Sequence, residues 1–325
     1  MTTDRVSADP REGAGYVIPE RDPAHADPDW FETGKDENLN DPDGPFIDPL
    51  PTPRHRRATL TGSSGVSGTI EEAPPTTDAD ADAFLAAAGI TDPTQAAAID
   101  ALVVALKADG LWSKMDGIYP FVGGTAGTHK WNLKDPRDLN AAFRLTFTGA
   151  GTHSANGYQP AGVGHADTHF IPTSNLPANQ SHQSYYSRTN TGGAYYDMGT
   201  YEGGAIRQHL ALFYSGGVFW NGQNDNAGSN VTVPRGDGLF VGSRIDASVT
   251  SAYRNGALLL ANASTYTGQS TLPIFIGALN YFGGPFQNTV RECAFASFGE
   301  GLTDAENADL YTAVQTYQTS LGRNV

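Results

Sequence analysis

From Trp112 to Phe298, apolar and aromatic positions alternate with polar ones in short runs, and a turn interrupts them every ten residues or so. Runs such as "GIYPFVGG", "AAFRLTFTGAG", "HQSYYSRTN", "AIRQHLALFYSGG", "DGLFVGSRI", "LPIFIGALN" and "TVRECAFASFGEG" are apolar or alternate with the period of two that turns one face of a strand toward a core. In "TSAYRNGALLLANAS", Asn255-Gly256 supplies the positive-φ pair of a type I′ turn and predicts a hairpin. Many strands joined by turns, without helices between them, predict an antiparallel two-sheet sandwich. On either side of this region the period becomes helical. Ile99, Leu102, Val103 and Leu106 make one buried stripe behind Asp92 as N-cap, Pro93 at N1 and Gln95 as partner in a capping box, with Gly110 just past the end. A shorter helix over 80–89 precedes it and stops at Gly89, and a last helix begins at Thr303 with Glu306 at N3.

Residues 1–53 show neither period. They hold nine of the twenty prolines and five Asp-Pro pairs, and thirteen acids against four bases leave a net charge of −9. Residues before proline are pushed out of the α region, so this arm is expected to be extended and without a core of its own. By composition it is a solvated tail. Tyr16, Ile18, Trp30, Phe31, Phe46 and Ile47, spaced along it, are the candidates for anchoring it to a neighbour. Residues 54–77 begin with Arg54, His55, Arg56 and Arg57, read as local charge balance, and continue as two β-prone pieces about a Gly/Ser turn, a small hairpin or linker. The expected organisation is an arm (1–53), a hairpin or linker (54–77), a helical segment (78–110) and a sandwich ending in a helix (111–325).

Composition agrees with a turn-rich aromatic β protein: 38 Gly, 20 Pro, 14 Tyr and 15 Phe, with 17% charged residues. A net charge of −15 argues against a nucleic-acid binder, which displaces counterions with Lys and Arg. Cys293 is the only cysteine, so no intrachain disulfide can form. The N-terminus lacks the apolar core of a signal peptide, and no run of about 18 apolar residues occurs. Folding in a cytoplasm, away from membranes, is the expectation.

The chemistry-bearing patterns are few. In "GHADTHF", an extended chain would project His165, Asp167 and His169 from one face, as a zinc with an open position needs; the expectation is a structural, solvated strand face, with bound zinc the alternative. Asn224, Asp225 and Asn226 in "NGQNDNAGSN" could form a weak calcium loop, though the composition equally suits a plain turn, and no cofactor is expected. "GGTAGTHK" (123–130) resembles a phosphate loop but lacks its ending and is read as a turn before a strand. Between 150 and 290 the acids are Asp167, Asp197, Glu202, Asp225, Asp237 and Asp246, without the clustered strand carboxylates of a glucanase, and no nucleophile elbow occurs. Cys293 sits in an apolar strand and is expected to be packed. No enzymatic activity is expected. Sugar binding rests on stacking aromatics, for which Tyr158, Tyr195, Tyr196, Tyr201, Trp220, Tyr281 and Phe282 lie beside turns.

The run "AAGITDPTQAAAIDALVVALKADGLWSKMDGIYPFVGGTAGTHKWNLKDPRD", then "AAFRLTFTG", "SYYSRTN" and the ending "FGEGLTDAENADLYTAVQTYQTSLGR", resembles a family of bacteriophage virion proteins described as tail-fibre, appendage or head-associated. The resemblance covers about residues 78–325. It implies a concanavalin A-like (LamG-type) jelly roll and a place on a virus particle. The virion is then the expected location, residues 1–77 the attachment to other virion proteins, and a homo-oligomer, preferably a trimer, the expected assembly. The alternative is an adhesin that binds host-surface glycans, with polysaccharide hydrolysis the least supported.

Overall fold

The computed structural model describes residues 77–325 other than Ala227, together with two earlier strands, β1 (Thr59–Thr61) and β2 (Ser67–Thr69). These pair antiparallel with Leu60 opposite Gly68, the hairpin expected within 54–77. The extended arm and its anchors Tyr16, Ile18, Trp30, Phe31, Phe46 and Ile47, like the basic cluster at 54–57, lie outside the described residues. The chain divides into two compact units, Met1–Glu72 and Ala73–Val325.

The second unit opens with α1 (Ala79–Ala88), α2 (Pro93–Ala108), β3 (Met115–Tyr119), α3 (Ala126–His129), β4 (Thr146–Thr148), β5 (Thr152–Ser154), β6 (Gly157–Gln159), β7 (His165–Asp167) and α4 (Pro172–Asn175). There follow β8 (Ser181–Ser187), β9 (Met198–Gly203), β10 (Ile206–Tyr214), β11 (Val218–Gln223), β12 (Ser229–Thr232), β13 (Gly238–Arg244), β14 (Val249–Arg254) and β15 (Ala257–Ala263). β16 (Phe275–Ile276), β17 (Leu279–Tyr281), β18 (Gly284–Phe286), β19 (Cys293–Gly299) and α5 (Asp304–Ser320) complete it.

Two sheets form a jelly-roll sandwich. The first runs β15-β14-β13-β8-β19-β6-β5, with β3 also on β19; the second runs β12-β11-β10-β9-β16-β7-β4, with the β17-β18 hairpin laid against β9. Alternation assigns the faces. Along β8, Tyr185 joins the core between the sheets, with Leu210, Leu212, Phe219, Phe240 and Phe298, whereas Tyr186 points the other way. There it meets Phe84, Ile99, Leu102, Val103 and Leu106 of α1 and α2, and Leu310, Val314 and Tyr317 of α5. The helical segment 78–110 is therefore a third layer of the sandwich and not a separate body, because its apolar stripe has its partners on the first sheet and α5. Each such large side chain contributes on the order of 2 kcal/mol by leaving water.

The end signals act largely as expected. Asp92 accepts from the Gln95 amide, Gly89 is left-handed at φ 66°, and Thr303 and Glu306 form a reciprocal capping box. Gln95 departs from expectation: its side chain accepts from the Gly123 amide at 2.8 Å and ties α2 to the loop after β3 instead of completing a box. That loop, in turn, holds the one-turn helix α3, boxed by Thr125 and Thr128, where a plain turn before a strand was expected. Asn255 and Gly256 have φ of 50° and 76°, as a type I′ turn requires. Inside the sandwich, Asp197 is gripped by Arg291 through both carboxylate oxygens at 2.9 and 2.8 Å, both side chains being fully buried.

Candidate functional site

The outer face of the second sheet carries the largest exposed rings of the unit, with Tyr281 42%, Phe282 57% and Phe286 42% exposed. Register explains why they gather. Arg207 on β10 lies opposite Tyr201 on β9, and Tyr201 lies opposite Tyr281 on β17, so the three form one row across neighbouring strands. Two residues along, His209 is opposite both Gly199 and Gly222, and Trp220 on β11 is opposite Ala211. A bulge in β10 between Ala211 and Tyr214 turns Tyr214 onto the same face, where it stacks on Trp220 at 4.1 Å between ring centroids and 13° between planes. Tyr201 and Tyr281 stack at 5.2 Å and 3°, and Phe286 lies 5.0 Å from Tyr281. Tyr196, pinned by its amide to the Gln287 carbonyl, stands between the two stacks, 5.1 Å from the His209 ring. Phe282 tips the β17-β18 turn in the left-handed region (φ 51°), an uncommon conformation for an aromatic residue.

Beside the Tyr201–Tyr281 stack is a cleft of about 250 Å³ lined by Tyr196, Tyr201, Arg207, His209, Leu279, Tyr281 and Phe286. Its floor exists because two glycines flank His209. A Cβ on Gly199 would fall 2.6 Å from the His209 Cβ, and one on Gly222 would fall 2.8 Å from the ring carbon Cε1. Burial, aided by the Arg207 charge and opposed by Asp225, pushes His209 down to about 4, so its ring is neutral near pH 7. The enclosed Nδ1 of this ring has no hydrogen-bond partner among the described residues.

Arg207 reaches from the cleft toward Asp225, 3.5 Å away, while the fully buried Arg244 approaches the same carboxylate at 3.9 Å. Asp225 also accepts from the Gly228 amide at 2.7 Å and from the Thr250 and Ser264 hydroxyls at 2.9 and 3.4 Å. A calcium loop over Asn224, Asp225 and Asn226 is thus displaced by two guanidiniums, since the one carboxylate it would need is already shared between cations. None of the described residues lining the cleft is acidic.

Of the aromatic residues singled out from sequence, the fold brings Tyr196, Tyr201, Trp220, Tyr281 and Phe282 together. Tyr158 is 1% exposed, packed between Phe147 and His153 in the core, and is not a surface group. Tyr195 alternates away from Tyr196 and lies against the Arg291 guanidinium at 5.5 Å. Arg207, His209, Tyr214 and Phe286 are site residues that sequence reading missed. Alternation in "IRQHLAL" could have shown Arg207 and His209 opposite the apolar Leu210 and Leu212.

The "GHADTHF" stretch is not a solvated face. β7 ends at Asp167, whose carboxylate accepts from the His169 amide at 2.7 Å and helps bend the chain, and His169 is left-handed at φ 58°. His165 is buried with its ring 4.6 Å from Phe275, while His169 pairs with the Thr146 hydroxyl at 2.8 Å. Among the described residues no three His, Cys, Asp or Glu side chains are grouped to hold a metal ion. The remaining acids have structural partners: Asp197 with Arg291, Glu202 with Thr271, Asp237 with Arg235 and Arg254, and Asp246 with the Ser248 amide. Cys293 is fully buried, and burial pushes its thiol well above the usual range.

No known family profile matches the chain, and no curated protein does. Among solved structures, the chain is similar to domain 4 of AbnA, an extracellular GH43 arabinanase of Geobacillus stearothermophilus in complex with arabinotriose. Identity is 15%, the alignment covers 61% of this chain and 98% of that one, and the TM-score is 0.42. A structure of botulinum neurotoxin type C, whose cell entry depends on two ganglioside molecules, shares 10% identity over 64% of this chain and 53% of its own, at a TM-score of 0.43. The NanB sialidase of Streptococcus pneumoniae shares 10% over 41% of this chain and 24% of its own, at 0.34. At these scores the likenesses decide neither ligand nor activity.

Proposed function

We propose that this protein is a carbohydrate-binding module whose site is the aromatic cleft on the outer face of the second sheet. One observation carries the reading: the stacked Tyr201 and Tyr281 rings line a shallow groove together with the side chain of Arg207. Sugar rings have an apolar face that stacks on aromatics and an equatorial rim of hydroxyls that needs donors and acceptors. The groove is somewhat smaller than the 300–1,000 Å³ usual for drug-sized ligands, which suits one or two sugar residues. No described residue lining the cleft carries a carboxylate, which supports binding over hydrolysis, since hydrolysis would need an acid and a second carboxylate across the glycosidic bond. Titration of the full-length protein with host-cell polysaccharide tests this. Saturable binding that free sugar competes is expected, and Tyr201→Ala with Tyr281→Ala should weaken it at least tenfold while the melting curve stays cooperative. Binding that ignores both substitutions, or no binding at millimolar sugar, would refute the reading.

We propose further, from the resemblance to phage virion proteins and the Asp-Pro arm with its spaced apolar residues, that the module is displayed on a virus particle and held there by residues 1–77. A segment of this composition gains contact by wrapping a partner and ordering on it. Particles assembled with a chain lacking residues 1–77 should not carry it; normal incorporation would overturn the anchoring role.

A further inference from the structure

We infer that the cleft selects acidic sugars: pyranosides bearing a single anionic substituent, bound with the ring on the Tyr201–Tyr281 stack and the anion at Arg207. The inference rests on the carbohydrate reading above and adds the ligand class. Three observations carry it. Among the described residues lining the cleft, Arg207 is the only charged one. Its one carboxylate partner among the described residues, Asp225, stands at a long 3.5 Å and is also approached by Arg244 at 3.9 Å. Asp225 makes shorter contacts to Gly228 and Thr250, at 2.7 and 2.9 Å, than to Arg207, and the enclosed Nε of Arg207 has no partner among the described residues. Arg244 is fully buried and is also answered by the nearby Asp246, whereas the Arg207 side chain is 23% exposed and meets Asp225 only at 3.5 Å.

The spacing suits the ligand. Arg207, Tyr201 and Tyr281 occupy opposed positions on three adjacent strands. At roughly 5 Å per strand, the guanidinium's strand lies about 10 Å from that of Tyr281, so a ring stacked on the tyrosines can direct a substituent toward it. The chain's overall charge of −15 opposes anions at long range. Screening over about 8 Å at physiological salt confines that repulsion, so the charge in contact decides for one anionic residue, while a dense polyanion is disfavoured.

The test uses the full-length protein and matched pairs of sugars: methyl glucoside against methyl glucuronide, methyl galactoside against methyl galacturonide, and lactose against sialyllactose. A 6-sulfated galactoside distinguishes sulfate from carboxylate as the source of the anion. Affinities are read by NMR titration at low salt and at 0.5 M NaCl. The acidic member of at least one pair should bind about tenfold or more tightly at low salt, with the ratio shrinking at high salt. Arg207→Gln should bring the ratio close to one, and Arg207→Lys should keep part of it. Equal binding within every pair by the wild-type protein, or an unchanged ratio in folded Arg207→Gln, would overturn the acidic preference and leave the carbohydrate reading standing. Failure of every sugar to bind would remove both.

Discussion

His182 offers a quantitative test of how burial governs the pH stability of this fold. It lies on β8, fully buried beneath α5, with Nδ1 donating to the Glu300 carbonyl at 2.6 Å and Nε2 3.2 Å from the Ser297 hydroxyl. Both nitrogens are thus engaged by the neutral ring. Desolvation, reinforced by the Lys114 charge and opposed by the Glu300 carbonyl and Glu306, pushes its pKa down to about 4 from the ordinary 6.5. The group is neutral in the folded chain and protonated more readily in the unfolded one, so its contribution is fully present above pH 6.5 and is lost as pH falls toward 4. Between pH 7 and 5 the loss comes to about 2 kcal/mol, a large fraction of a typical folding free energy. His209 and His129, pushed down to about 4 and about 3, act in the same direction. Asp116, pushed up to about 6 by burial and by Glu300, acts oppositely. The wild-type profile alone therefore mixes terms, and the clean measurement is a difference. In His182→Asn the amide can still donate to the Glu300 carbonyl but does not titrate. Urea unfolding of both proteins at pH 7, 6 and 5 should show a variant that is less stable at pH 7, with a gap that narrows by about 2 kcal/mol by pH 5. Parallel stability curves would show that His182 is not held neutral by its surroundings.

Asp197→Ala should cost about 3–5 kcal/mol in thermal or urea unfolding, because it strands the buried Arg291 charge and frees the Leu212 amide and Thr289 hydroxyl; a loss below about 1 kcal/mol would refute that account. Cys293 should resist a thiol-specific reagent in native protein and react fully in denaturant; rapid native labelling would contradict its burial.

Much of the architecture follows from local pattern. Period-two runs, the Asn255-Gly256 turn, and the Asp92 and Thr303 caps act within a few residues of themselves, so their signals survive in one dimension. Expectation failed where a particular side-chain partner, near or far, decided. Gln95 found the Gly123 amide and left its capping box. His169 was turned out of its strand by the Asp167 carboxylate, and Tyr158 was buried by Phe147 and His153. The site itself divides the same way. That the chain is rich in tyrosine beside turns was legible, and Tyr196, Tyr201, Trp220, Tyr281 and Phe282 were singled out from it. Their meeting on one face of the sheet depends on strand register, on the parallel pairing of β17 with β9, and on a bulge that turns Tyr214 outward against the alternation of β10. Charge shows the separation most clearly. Sequence alone makes this chain strongly acidic, whereas tertiary structure places two arginines on one buried aspartate and leaves a positive group facing the cleft, because hydrogen-bond partners are chosen in space and not along the chain.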